Sequence, residues 1–183
     1  MRGLKFHEQK LLKKVNFLQW KSENNLREIK VLRRYHVQDR DDYVRYNKLA
    51  GLITKLTSQL KDLPSDDAVR VKVTDALIEK LFNMGLVPTK KSLLQCEGLA
   101  VSAFCRRRLP VVLVRLKFCE TLKEAVSFVE QGHIRIGPEV VTDPGFHVTR
   151  SMEDFVAWVD SSKIRRKVMK YNDAVDDYDL LGQ

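Results

Sequence analysis

Apolar residues recur at every third or fourth position in a series of segments up to Gln131, and at every second position just beyond it. The first rhythm belongs to helices with one buried face, the second to strands. In the opening segment HEQKLLKKVNFLQWK, Leu11, Val15 and Leu18 share a helical side, with Leu4 upstream, while Lys10, Lys13, Lys14 and Lys21 populate the other faces. This predicts a basic amphipathic helix. It can pack its leucines on the rest of the chain or serve as an arm toward RNA or an acidic protein. NLREIKVLRRYHVQDRDD has a weaker pattern and brings Arg33, Arg34 and Arg40 close together.

Asp39 or Asp41 can cap the next helix, which runs through YVRYNKLAGLITKLTSQLKDL with a stripe of Leu49, Leu52, Ile53, Leu56 and Leu60. Pro64-Ser65-Asp66-Asp67 breaks it and caps another, lined by Val73, Ala76, Leu77, Leu81 and Met84 and closed by Gly85. The two predict a packed helical hairpin. LVPTKKSLLQCEGLA follows as a connector with room for a short helix.

From 102 to 159 the pattern is densest. Arg106-Arg107-Arg108 occupies a first turn, and Pro110 starts a helix in which Leu109, Val112, Leu113 and Leu116 share one face while Arg108 and Arg115 share another. Thr121 and Glu124 form a capping box for a second helix, with Leu122, Ala125, Val126 and Val129 on its apolar side. Gly132 ends it. Ile134 and Ile136 then point one way and Arg135 the other. Gly137-Pro138 and Asp143-Pro144-Gly145 mark turns, and Val140-Val141, Phe146-His147-Val148 and Phe155 to Val159 predict further short strands. The expected class is α+β: N-terminal helices packed with two short helices on a small antiparallel sheet.

Charge changes this picture by being segregated. The net +9 divides into +7 for residues 1–50 (13 Lys and Arg against 6 Asp and Glu), +1 for 51–100 (7 against 6), +5 for 101–170 (13 against 8) and −4 for the last 13, which hold Asp173, Asp176, Asp177 and Asp179. Two basic blocks suit a polyanionic partner. Met1-Arg2-Gly3-Leu4-Lys5 opens without the apolar core of a secretory signal, and no apolar run is long enough to span a membrane. An intracellular protein without a membrane partner is expected. Cys96, Cys105 and Cys119 are odd in number and lack a C-x-x-C pair, which predicts reduced, partly buried thiols.

The sequence holds no glycine-rich phosphate loop, no dinucleotide fingerprint, no H-E-x-x-H and no nucleophile elbow, and His7, His36, His133 and His147 are scattered without ligand spacing. This argues against an enzyme, a metal, a cofactor or a small-molecule substrate. The helix-helix-strand unit offers different chemistry. Arg106, Arg107, Arg108, Arg115, Lys117 and Lys123, followed by His133 and Arg135, would supply charge and guanidinium forks to a phosphate backbone. A-form RNA suits such a surface. His133 follows Gly132 at a helix end, with two readings open: a turn residue that seats the sheet, or a phosphate contact beside Arg135.

The stretch RRRLPVVLVRLKFCETLKEAVSFVEQGHIRIG resembles the S-four RNA-binding domain, named after a small-subunit ribosomal protein: Arg108-Leu109, the apolar helix Val111 to Leu116, the second helix Thr121 to Gln131, then Gly132-His133-Ile134 and Arg135. Pro110 stands where many members carry Asp, and Gly137-Pro138 where Asn-Gly is frequent. The helical hairpin and connector resemble the eukaryotic ribosomal protein itself. LKFHEQKLLKKVNFLQWK and RSMEDFVAWVDSSKIRRKVMKYNDAVDDYD are instead similar to the S-four-domain subunit of the U-three small nucleolar ribonucleoprotein, the Imp-three family. The resemblance implies a nucleolar ribosome-assembly factor that pairs U-three snoRNA with pre-ribosomal RNA, in complex with the acidic Mpp-ten scaffold and Imp-four. The alternative is a structural ribosomal protein of the S-four family. The expected organisation is a basic arm (1–38), a helical hairpin and connector (39–101), an S-four-like RNA-binding domain (102–160) and a C-terminal extension with an acidic tail (161–183).

Overall fold

The computed structural model describes residues 2–14, 22–90 and 92–173. Along them run α1 (Phe6–Lys14), α2 (Ser22–Tyr35), α3 (Arg40–Asp62), α4 (Ala68–Asn83), α5 (Leu94–Glu97), α6 (Val101–Cys105), α7 (Leu109–Arg115), α8 (Leu122–Glu130), β1 (Ile134–Ile136), β2 (Glu139–Val140), α9 (Arg150–Glu153), β3 (Val156–Trp158) and α10 (Lys163–Tyr171). The chain is α+β as expected.

Several boundaries follow from capping chemistry. Asp67 accepts the Val69 N–H at the start of α4, and Thr121 and Glu124 form the reciprocal box that starts α8. Helices α2, α4, α7 and α8 each close on a residue of positive φ, and the next N–H reaches back five residues. His36, Gly85, Lys117 and Gly132 hold the positive-φ position, at 48°, 75°, 62° and 72°. The N–H groups of Val37, Leu86, Phe118 and His133 close the turns on Leu32, Leu81, Leu113 and Phe128.

Three apolar clusters hold the elements together. Ala50, Ile78, Leu81, Leu86, Val87, Cys96, Ala103 and Phe104 join α3, α4, α5 and α6. Leu109, Val112, Leu113, Ala125, Val129, Ile134, Val148 and Val156 lie between α7, α8 and the sheet. Tyr35, Val37, Val101 and Cys105 seat α2 on α6.

The sheet has strand order β2-β1-β3, with both neighbours antiparallel to β1. Ile136 faces Glu139 across the two-residue turn of Gly137 and Pro138, and Gly137 supplies φ +60° at its first position. On the other side Ile134 pairs with Trp158 and Ile136 with Val156.

The structure corrects the sequence reading in three places. Leu49 and Leu52 are exposed, and the buried stripe of α3 is Ala50, Ile53, Thr57 and Leu60. Ala50 and Thr57 are small enough to let α5 and α6 approach, and the buried Thr57 hydroxyl donates to Ile53 O at 2.8 Å, so burying it leaves no bond unmade. On α4 the inner face holds Ile78 and Leu81, while Ala76 is exposed. Phe146-His147-Val148 forms no strand; it makes one isolated antiparallel bridge, His147 with Arg108.

The described part of the arm leaves Leu4, Phe6 and Leu11 in solvent, so these residues are not seated on the domain. Val15, Leu18 and Lys21, the side chains of Lys13 and Lys14, and Asp176, Asp177 and Asp179 lie outside the described residues. Cys96 and Cys105 are buried, Cys119 is half-buried and all three are free thiols. Burial pushes Cys105 and Cys119 up to about 11, and Cys96 upward as well, so they stay protonated at neutral pH. Among the described residues no helix is long and apolar enough to cross a membrane.

Candidate nucleic-acid interface

The arginine triplet divides between inside and outside. Arg106 follows α6 and is exposed, whereas Arg107 and Arg108 are only 5% and 3% exposed. Arg107 donates from Nε to Val148 O at 2.8 Å and from Nη1 to Glu153 Oε2 at 2.8 Å. Arg108 donates from Nη1 to Asp42 Oδ2 at 2.7 Å and to the Tyr46 hydroxyl at 3.4 Å. Burial opposes the Arg108 charge, but Asp42 and Tyr46 more than offset this and hold its pKa above the ordinary value. Of the three arginines expected to line a groove, Arg106 alone is exposed, while Arg107 and Arg108 are turned inward. The other two are internal because α6, α7 and the loop before α9 meet where they sit, and each found a carboxylate there.

Arg106 shares an open pocket of about 440 Å³ with Gly85, Leu86, Pro88, Arg107, Arg115, Arg150 and Glu153. Glu153 accepts from both Arg107 and Arg115. Partial burial raises its pKa, but the two guanidiniums outweigh that and leave it below the usual value. Arg107 Nη2 is buried without a partner among the described residues. Arg150 donates from Nε to Phe82 O at 2.9 Å and from Nη2 to Val87 O at 2.8 Å, its guanidinium 4.1 Å above the Phe82 ring. Four arginines and a single glutamate thus line this pocket, an excess of positive charge suited to an oxyanion. Arg115 ends α7, Lys117 stands two residues on and Lys123 lies in the first turn of α8; all three are exposed at the same end of the α7–α8 hairpin.

His133 and Arg135 lie beyond the opposite end of α8 and are turned to the C-terminal segment. His133 Nδ1 is 3.1 Å from Ser162 Oγ, and its ring meets Phe128 edge-on, with centroids 6.4 Å apart. Ser162 caps α10 by accepting the Arg165 N–H, so its own proton is free to donate to Nδ1. Arg135 donates to Trp158 O at 3.1 Å and Gly137 O at 3.3 Å, and its Nη2 stands 3.6 Å from Asp160. Ser162 and Phe128 thus hold the His133 ring at the joint between the sheet and α10. Lys10 is exposed on α1.

Residues 3–106 match the family described as Ribosomal protein S4/S9 N-terminal domain, and residues 107–154 match the S4 domain. The U3 small nucleolar ribonucleoprotein protein IMP3 of Homo sapiens is 58% identical over 181 residues, covering 98% of each chain. The chain belongs to the IMP3 family. The Saccharomyces cerevisiae IMP3 is 49% identical over 98% of this chain and 99% of its own. A small ribosomal subunit protein uS4 from Hyperthermus butylicus is 26% identical over 148 residues, 81% of this chain and 83% of its own.

The IMP3 resemblance in the sequence pointed to the right family, yet several residues that shape this surface escaped the site reading. Nothing local in the sequence announces a partner for Asp42 or Glu153, 66 or 38 positions away. Arg150 stands alone in the sequence and carries no signal.

Proposed function

We propose that the protein is a non-enzymatic RNA-binding component of the U3 small nucleolar ribonucleoprotein, within the nucleolar small-subunit processome, that promotes or stabilises pairing between U3 snoRNA and pre-ribosomal RNA. The carrying observation is the pocket that exposed Arg106 and Arg115 share with a single carboxylate, Glu153, with Lys117 and Lys123 at the same end of the α7–α8 hairpin. Two RNA strands repel each other through their phosphates, and a surface that neutralises several lowers the cost of bringing them together. Recognition through phosphates and 2′-hydroxyls fits a surface rich in arginine. The relatives named as ribonucleoprotein and ribosomal proteins support the same reading.

The basic arm would dock an acidic scaffold partner, for which Mpp-ten is the candidate by resemblance, with Imp-four in the same complex. The exposed Leu4, Phe6 and Leu11 beside Lys10 supply the apolar and charged sides of such a contact.

The test is binding of U3 snoRNA and a complementary pre-rRNA fragment by the full chain. Changing Arg106 and Arg115 to Gln should weaken binding and flatten its salt dependence. It should also slow annealing of the two RNAs. Unaltered affinity, slope and annealing would remove the proposed surface. Sedimentation separates this reading from a resident ribosomal protein, which would follow mature subunits rather than large precursors.

A further inference from the structure

Helix α10 lies at the far end of the sheet from the Arg106–Arg115 cluster. Glu153, which holds Arg115, precedes β3, whereas Ser162, which caps α10, follows it. Five of the nine residues of α10 are Lys or Arg, and none is acidic. At 100° per residue, Lys163, Arg166, Lys167 and Lys170 fall within an arc of about 100°. All four are exposed, and none takes part in an ion pair among the described residues. The opposite face is partly held: Ile164, Arg165 and Met169 are half-buried and Arg165 pairs with Asp160, while Val168 among them stays exposed.

This arrangement works against the helix's own electrostatics. Lys163, Arg165 and Arg166 occupy the first turn, where the macrodipole is positive and an acid would be favourable. Lys163 with Lys167, and Arg166 with Lys170, are like charges at i,i+4, which are mutually destabilising. What keeps the helix in place is local: the Ser162 cap, its bond to His133 and the half-buried inner face. A rigid mount for a self-repelling cationic stripe is what a polyanion would complete.

We infer that the Lys163–Arg166–Lys167–Lys170 face of α10 is a second RNA-contact track, separate from the Arg106–Arg115 surface and directed at the phosphate backbone. The inference rests on the RNA-binding reading above. RNA is favoured over an acidic protein because Tyr171, 90% exposed, flanks the stripe and offers a ring on which a base can stack. Two tracks at opposite ends of the sheet would let one molecule hold two RNA segments at once.

The experiment uses the full chain and a fluorescein-labelled single-stranded RNA of about 20 nucleotides, long enough to span the basic track. Affinity is measured across a salt series. Replacing all four residues by Gln should weaken binding on the order of tenfold or more near physiological salt. It should lower the log–log salt slope by about 3, at about 0.7 per phosphate contact on a single strand. The half-variants Lys163→Gln/Arg166→Gln and Lys167→Gln/Lys170→Gln should each remove about half of that slope, and replacing the three lysines by Arg should keep it. RNA should also raise amide-exchange protection across 163–171, because it neutralises the stripe.

An unchanged slope in the Gln variants, with slope lost on changing Arg106 and Arg115, overturns the inference and leaves the RNA reading standing. No RNA binding by the unaltered chain overturns both. Equal affinity for a polyglutamate peptide of the same charge, lost in the same variants, overturns RNA in favour of an acidic protein.

Discussion

The Arg107 guanidinium lies directly over Gly85: a Cβ placed on that glycine would come within 2.7 Å of Nε. Arg107 cannot swing away cheaply, because Nε is bonded to Val148 O and Nη1 to Glu153. Gly85 also has φ +75°. Gly85→Ala should therefore cost about 3 kcal/mol, from backbone strain and the displaced arginine together. Urea denaturation measures it; a loss under about 0.5 kcal/mol, the range of an ordinary surface change, would show that Arg107 has another place to go.

Asp42 and Arg108 form a bridge 66 residues apart in sequence, with Arg108 buried. Asp42→Ala leaves that charge inside without its carboxylate, and a loss of about 3 kcal/mol is expected. Arg106→Gln, by contrast, should leave stability within about 0.5 kcal/mol of the parent, as a surface change does. Changing all three arginines at once would confuse a folding defect with a binding defect. The separate variants, compared by thermal melting and by RNA titration, tell them apart.

Lys117 takes the left-handed position at the end of α7, at φ +62°, where glycine is the favoured residue. Lys117→Gly should stabilise the fold by about 0.5–1 kcal/mol while lowering the salt slope of RNA binding by about 1. Gained stability with an unaltered slope would mean that the lysine has no RNA role.

Acid should weaken the fold in two stages. His147 Nε2–H donates to Met84 O at 3.0 Å, and burial, with Arg107 nearby, lowers its pKa below the ordinary 6.5. Between the depressed folded value and 6.5 the unfolded chain binds more protons, so stability falls as pH drops below about 6.5. Glu153 is likewise lowered from 4.5, and its contribution is lost as pH falls below that value. Melting temperatures followed from pH 8 to about 2 should show both stages, and His147→Gln should remove only the first. An unaltered pH profile in that variant would exclude His147 as its source.

Local signals in the sequence carried the local structure. The Thr121–Glu124 box, the Asp67 cap, Gly85, Gly132 and the Gly137-Pro138 turn each act within a few residues, and each stands where the spacing predicted. What pattern could not decide was which of two adjacent stripes goes inward. On α3 the larger leucines looked like core, but close approach of α5 and α6 favoured Ala50 and Thr57. The basic site was legible as charge and illegible as direction. Arg106, Arg107 and Arg108 are identical in the sequence, and only distant carboxylates decide which of them turn in. The alternation at Phe146–Val148 was real, but a strand needs a neighbour to pair with, and only one bridge was offered.

The two family matches meet between Arg106 and Arg107, yet the bonds that cross that line run deep: Arg108 to Asp42, His147 to Met84, Arg150 to Phe82 and Val87. An S-four unit grafted from a relative would arrive with its own charges and find foreign carbonyls and carboxylates opposite them. A functional chimera must therefore transplant the receiving side, Asp42 and the Phe82–Val87 turn, along with the unit itself.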